Sequence, residues 1–186
     1  MTLNDYIYIR KMCADDLDAV TQIEAENFSI PWKRSDFAHY LDDPQAVFLV
    51  AVCRGCGGEK KTVPEAVSAE FAEKRDGSGR ISEKIGGYIG CLYAADEGDI
   101  TNVSVDSACR RNGIGQKLVQ ALLTESEQRG CIRIFLEVRQ SNEAAVRLYR
   151  MHGFQEIGVR KKYYQKPEED ALLMRYENMT STGVEE

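Results

Sequence analysis

The chain has 186 residues, 43% of them hydrophobic and 29% charged, which suits one soluble domain able to bury its own core. Thirty acidic residues against 24 basic ones leave a net charge of −6, a balance that argues against nucleic acid as the main partner and fits a basic acceptor or plain solubility equally well. No run of about 18 apolar residues is available to span a membrane, and the opening Met-Thr-Leu-Asn-Asp-Tyr has neither the basic nor the apolar segment of a secretion signal, so a cytoplasmic location is expected.

In chain order, residues 6–11 alternate and predict a first strand. Asp15 is placed to cap a helix running to Asn27, with Leu17, Val20 and Ile23 turned inward. Pro31-Trp32 interrupts the chain, and Ser35 can cap a short helix carrying Phe37, Tyr40 and Leu41. Residues 46–53 form a continuous apolar strand. The composition then turns polar over about 54–84, which predicts an inserted loop within one domain spanning 1–178. Inside it, residues 64–74 have the marks of a short helix: Pro64 at the first helical position, and Val67 and Phe71 spaced i, i+4.

Two more strands, 85–94 and 99–105, follow across a tight acidic turn. A helix from Gly113 carries Ile114, Leu118, Ala121 and Leu122 on one face and ends near Gly130. In the strand 131–138, Ile132, Ile134, Leu136 and Val138 share one face, and Arg133, Phe135 and Glu137 take the other. Ser141 or Asn142 caps a helix to His152, closed by Gly153. Strands at 154–162 and 171–176 complete the sheet, and 179–186 reads as a disordered tail.

Six cysteines occur, at 13, 53, 56, 91, 109 and 131. Cys53, Cys91 and Cys131 lie in or beside apolar strands and read as core residues of a reducing compartment. Cys53-x-x-Cys56 lacks the second pair that a zinc site requires, so no metal is expected. Neither His39 nor His152 is assigned a catalytic role.

The segment Arg110-x-x-Gly113-x-Gly115 sits between a strand and a helix. A helix N-terminus offers unpaired N–H groups and the positive end of a dipole, which suits phosphate. It is not a dinucleotide fingerprint, since position 118 is Leu, and it is not a P-loop, since Gln116 follows Gly115. Farther on come Leu136-Glu137-Val138-Arg139, Ser141-Asn142-x-Ala144-Ala145 and Leu148-Tyr149-x-x-x-Gly153-Phe154. In this order the motifs resemble the GNAT superfamily of acetyl-CoA-dependent N-acetyltransferases. With Ile30-Pro31-Trp32 and Arg160-Lys161-Lys162-Tyr163-Tyr164, they resemble most its RimI-like branch, which acetylates the N-terminal alanine of a small-subunit ribosomal protein.

The resemblance implies an α/β (α+β) fold: a mixed, mostly antiparallel sheet flanked by helices and splayed where acetyl-CoA enters. It implies direct transfer and a ribosomal-protein N-terminus as acceptor; a monomer with no nucleic acid, membrane or metal partner is expected. By the same resemblance the cofactor lies against Val103, Ser104 and Val105, the loop Arg111, Asn112, Gly113, Ile114, Gly115 and Gln116, and Asn142. From the residues alone, Asn142 reads equally as a helix cap. Glu137 is the matching catalytic base, while its sequence context equally allows an ion pair with Arg133 or Arg139. An α-amine, of pKa about 7.7–8.0 against about 10.4 for lysine, asks less of that base. Tyr149 is the matching proton donor to the leaving thiolate, against the alternative of a packed aromatic. Trp32, Tyr163 and Tyr164 either line the acceptor groove or simply pack. Cys109 is not marked as a nucleophile. A small-molecule amine or a lysine as acceptor, and a non-catalytic CoA-binding adaptor, are the rival readings.

Overall fold

A computed structural model describes residues 7–54 and 83–178. Residues 55–82 of the expected insert, with the short helix expected at 64–74 and Cys56, lie outside the described residues, as do Tyr6 and the tail; Arg54, Glu83 and Lys84 belong to strands and not to the insert. Seven strands form one sheet: β1 (Ile7–Lys11), β2 (Ala46–Arg54), β3 (Glu83–Ala94), β4 (Glu97–Val105), β5 (Arg133–Arg139), β6 (Gln155–Gln165) and β7 (Glu168–Glu177). Their order is β1-β2-β3-β4-β5-β7-β6, antiparallel throughout except for the parallel pair β4–β5.

The helices divide between the two faces. On one face, α1 (Leu17–Asn27) and α2 (Arg34–Tyr40) bury Leu17, Val20, Ile23 and Phe37 against Phe48, Val50, Val52 and Tyr88. On the other, α3 (Ile114–Gln128) and α4 (Glu143–Met151) bury Ile114, Leu118, Leu122, Val146 and Tyr149 against Val47, Leu49, Ala51 and Leu136. Each such side chain contributes about 1.5–3 kcal/mol of burial. Strand β2, inside the sheet between β1 and β3, is covered on both faces, which is why its sequence is apolar without a period.

Two glycines shape the sheet through what they lack. In β3 a Cβ at Gly90 would stand 2.2 Å from Cε1 of Phe48, so the ring occupies the glycine's place. Gly86 bulges out of the β2–β3 ladder, and a Cβ there would stand 2.5 Å from Sγ of Cys53.

The expected helix starts shift for local reasons. Residues Ala14–Asp16 form a 3₁₀ turn ahead of α1, and Asp16, not Asp15, closes it. The Asp16 carboxylate accepts from the Cys13 N–H at 2.9 Å and from the Arg10 guanidinium at 2.6 and 2.7 Å. Lys33, not Ser35, precedes α2, and Asp36 accepts from its N–H at 2.7 Å.

Two irregularities create an opening in the sheet. Thr101 is an extra residue in β4, since Cys91 pairs with Ile100 while Gly90 pairs with Asn102. Such a bulge exchanges the two faces of a strand. Ile100 belongs to the α3 core, whereas Asn102 and Ser104 meet α1. At the same point β5 departs: the parallel ladder runs from Glu97↔Arg133 to Ile100↔Leu136 and stops. Beyond it β4 pairs only with β3, and β5 only with β7.

Candidate active site

The opening is bounded below by α3. Gly113, at φ 75°, is its N-cap and has no capping side chain. A left-handed turn of this kind favours glycine. Arg111 also has a positive φ, 69°, which a side chain tolerates only where the surroundings enforce it. The loop is held at its start by Asp106, which accepts from Ala108 N–H at 2.8 Å and pairs with Lys84 Nζ at 2.6 Å. The first-turn N–H groups of Ile114, Gly115 and Gln116 therefore point past the helix end with the dipole behind them. Gly115 serves packing: a Cβ there would stand 3.1 Å from Cδ2 of Leu148, so its absence lets α3 lie close to α4.

The second wall is β4. Its backbone beyond Ile100 has a free edge toward β5, carrying Val103 and Val105. Ser104 is buried, and its hydroxyl accepts from Asn27 at 2.8 Å. The Thr101 hydroxyl and Asn102 Oδ1 are buried without a partner among the described residues, Asn102 lying under α1 beside Glu24.

The third wall is β5. Leu136 and Val138 face the α3 core, which turns Glu137 to the other face. The Glu137 side chain is 14% exposed, and Oε1 meets Arg160 Nη1 at 2.8 Å. Neither Arg133 nor Arg139 is its partner: Arg133 pairs with Glu97, and Arg139 with Glu169. Burial, then the charge of Asp99, pushes the Glu137 pKa above the ordinary carboxylate range, and Arg160 pulls it back in part.

Asn142 is the N-cap of α4, its Oδ1 accepting from Ala145 N–H at 3.2 Å. Tyr149, two turns on, is buried in the α3–α4 core with its ring 5.6 Å from that of Phe154. Its hydroxyl makes no hydrogen bond among the described residues. Burial raises its pKa, with the Tyr164 phenol close enough to add to the effect. Tyr164 in turn donates to the carbonyl of Glu137 at 3.2 Å. Tyr164 thus links the candidate acid on α4 with the candidate base on β5.

The rim of the opening is the β6–β7 hairpin. Arg139 stacks on Tyr164 at 4.1 Å and donates to the carbonyls of Lys166 and Pro167. Ser29, between α1 and α2, donates to the Lys166 carbonyl at 2.7 Å, leaving Ile30 exposed beside it. Tyr163 is exposed nearby. Trp32 instead packs in an aromatic cluster with Phe37, Tyr40 and Phe48.

One group was not anticipated. Glu24 of α1 is fully buried without a cation. It accepts from Trp32 N–H and Asn102 Nδ2, both at 3.1 Å, and from the Tyr88 hydroxyl. The signal was available, since position 24 falls on the apolar face four residues after Val20. Cys109 is buried against Cys53, whose thiol donates to it and pulls its pKa down to about 7, but it lies in the core and not in the opening. Cys91 and Cys131 are core residues, as expected. Among the described residues no group of three or more His, Cys, Asp or Glu can hold a metal, and no helix is long and apolar enough to cross a membrane.

Residues 17–154 match the acetyltransferase (GNAT) family. A Bacillus subtilis protein named provisionally as a ribosomal protein bS18-alanine N-acetyltransferase is 31% identical over 167 residues, 89% of this chain and 92% of its own. The ribosomal protein bS18-alanine N-acetyltransferase of Salmonella typhimurium is 42% identical over 81 residues, 42% of this chain and 55% of its own. The crystal structure of the ribosomal-protein-S18-alanine N-acetyltransferase from Escherichia coli superposes with a TM-score of 0.71 at 25% identity, covering 97% of this chain and 99% of that one. Arabidopsis thaliana NAA60 in complex with acetyl-CoA shares the fold, with a TM-score of 0.70 at 18% identity over 92% of this chain and 98% of that one.

Proposed function

The chain belongs to the acetyltransferase (GNAT) family, and from this premise we propose that it moves the acetyl group of acetyl-CoA to the N-terminal α-amine of a protein, the alanine of ribosomal protein bS18. The observation that carries the reading is the parting of β4 and β5 after Ile100, with an uncapped helix N-terminus at one end and Glu137 at the other. The names of the Bacillus, Salmonella and Escherichia relatives support the acceptor.

Acetyl-CoA supplies the acyl thioester. The residues that fit it are the N–H groups of Arg111 to Gln116 for the pyrophosphate, the free edge at Val103, Ser104 and Val105 for an extended amide arm, and the Asn142 amide at the α4 cap. Glu137 takes the proton of the incoming ammonium, for which its raised pKa is suited. Tyr149 gives a proton to the departing thiolate. Its raised pKa keeps the phenol protonated until then, and its hydroxyl has no competing partner among the described residues. The exposed rim of Ile30 and Tyr163 is open to a peptide end.

The test is CoA release from acetyl-CoA in the presence of a peptide beginning Ala-Arg-Tyr, beside the same peptide with its N-terminus blocked. Release with the free peptide alone is expected. Release with neither peptide, where acetyl-CoA still binds, would move the acceptor to a small-molecule amine or a lysine.

A further inference from the structure

The glycine-bearing loop is gripped from a helix on the opposite face of the sheet. Asn27 is the last residue of α1. Its Nδ2 donates to the Ser104 hydroxyl at 2.8 Å and to the Val105 carbonyl at 3.3 Å, the last two residues of β4. Its Oδ1 accepts from Nη2 of Arg110. Arg110 Nε donates to the same Val105 carbonyl at 3.4 Å. One amide therefore fixes the end of β4 and the first residue of the loop relative to each other. The guanidinium of Arg110 is folded back on the strand and is not extended toward a ligand.

The place of this grip gives it consequence. Arg110 is followed at once by Arg111, whose φ of 69° is unfavourable for a side chain, and then by the left-handed Gly113. A backbone of that kind persists where its neighbours hold it. Within the loop, the Asn112 amide donates back to the Cys109 carbonyl at 3.2 Å. With the start of the loop held, the N–H groups of the α3 first turn keep their angle to the open edge of β4. A ligand that touches both must match that angle, and preorganisation of this kind shows in affinity.

We propose that Asn27 is a positioning residue for acetyl-CoA: without touching the ligand, it sets the loop 111–116 against the edge of β4 through Arg110, Ser104 and Val105. The inference rests on the reading of that loop as the acetyl-CoA site. It assigns α1, which with Ser29 also borders the acceptor rim, a role on the cofactor side as well.

The experiment is calorimetric titration of acetyl-CoA into the full chain and into Asn27→Ala, Arg110→Ala, the double variant and Gly113→Val. Asn27→Ala is expected to weaken acetyl-CoA binding about tenfold, the scale of one lost hydrogen bond to a charged group. Its peptide KM at saturating acetyl-CoA should stay within about twofold of the parent, since a positioning loss is confined to the other substrate. The loss in the double variant should fall short of the sum of the two single losses, because Arg110 acts in part through the Asn27 amide. Amide hydrogen exchange at residues 111–116 should quicken in Asn27→Ala before ligand is added, a change that a purely global loss of stability would spread over the whole chain. Asn27→Asp keeps an acceptor for Arg110 and loses the donors to Ser104 and Val105. It should recover part of the affinity, and it serves in place of Asn27→Ala if that variant does not fold. Normal binding by Asn27→Ala beside lost binding by Gly113→Val would overturn the inference alone. Normal binding by both would overturn the loop as the site. Additive losses in the double variant would overturn the route through Arg110.

Discussion

Arg160 of β6 reaches across β7 to Glu137 of β5, and their 2.8 Å contact makes the candidate base one half of an ion pair. The pair is lopsided. Arg160 is half exposed while the Glu137 carboxylate is nearly enclosed, and Asp99 adds a second negative charge beside it. The candidate base therefore stands between one charge that lowers its pKa and another that raises it.

Opposite shifts follow for two substitutions. As the proposed base, Glu137 would have to lose its proton before accepting another, so kcat/KM is expected to rise with pH through its pKa. Arg160→Gln removes the charge that favours the carboxylate and moves this acidic limb to higher pH. Asp99→Asn removes the charge that opposes it and moves the limb to lower pH. Profiles with the Ala-Arg-Tyr peptide read both, and shifts in the same direction would contradict the arrangement.

Tyr149→Phe removes a hydroxyl that bonds to nothing in the described chain. It should lower kcat by about 100-fold, within the range of a lost proton donor, while the urea midpoint and acetyl-CoA affinity stay close to the parent values. Glu137→Gln should lower kcat by a similar factor. A Tyr149→Phe enzyme with parental kcat would return Tyr149 to the core as packing alone.

Glu24 governs stability in a pH-dependent way. Burial raises its folded pKa above the ordinary value, against the effect of its three donors. The folded chain therefore holds this proton more tightly than the unfolded one. The contribution is complete below the unfolded pKa and is lost as pH rises through the folded one. Glu24→Gln stays neutral and keeps an acceptor for Trp32 and Asn102, so its stability relative to the parent should grow as pH rises above about 4.3, the value of an unfolded glutamate. Glu24→Ala leaves Tyr88, Asn102 and the Trp32 N–H unpaired and should cost about 3 kcal/mol or more by urea unfolding.

Gly90→Ala places a methyl group where the Phe48 ring lies, 2.2 Å from its Cε1. A loss of about 1–3 kcal/mol is expected, since a packed ring cannot withdraw freely. Phe48 touches Trp32, the one tryptophan of the chain, so its fluorescence should shift with the substitution.

Most of the fold could be read in advance because it is written as local periodicity. The alternation in β5 separated Leu136 from Glu137, and the spacing of Leu118 and Leu122 gave the buried face of α3. The phosphate-suited loop was legible for the same reason, as a strand, two glycines and a helix in succession. The partner of Glu137 was not, because Arg160 lies two strands away and only sheet order brings it there. The same holds for Asn27 and Arg110, 83 residues apart. Nor could the bulge at Thr101 be foreseen, since one extra residue leaves the apolar pattern of β4 nearly unaltered while reversing which side each residue meets.

The ladder between β4 and β5 consists of four residue pairs, Glu97↔Arg133 to Ile100↔Leu136. Within the sheet, everything from β5 onward is joined to everything before it by that short seam. A ligand lying along the free edge of β4 with its phosphates on α3 acts as a splint across the join. The β5–β7–β6 block should then breathe more in the empty protein than in the loaded one. Its amides, and not those of β1–β3, would report the arrival of acetyl-CoA from a distance.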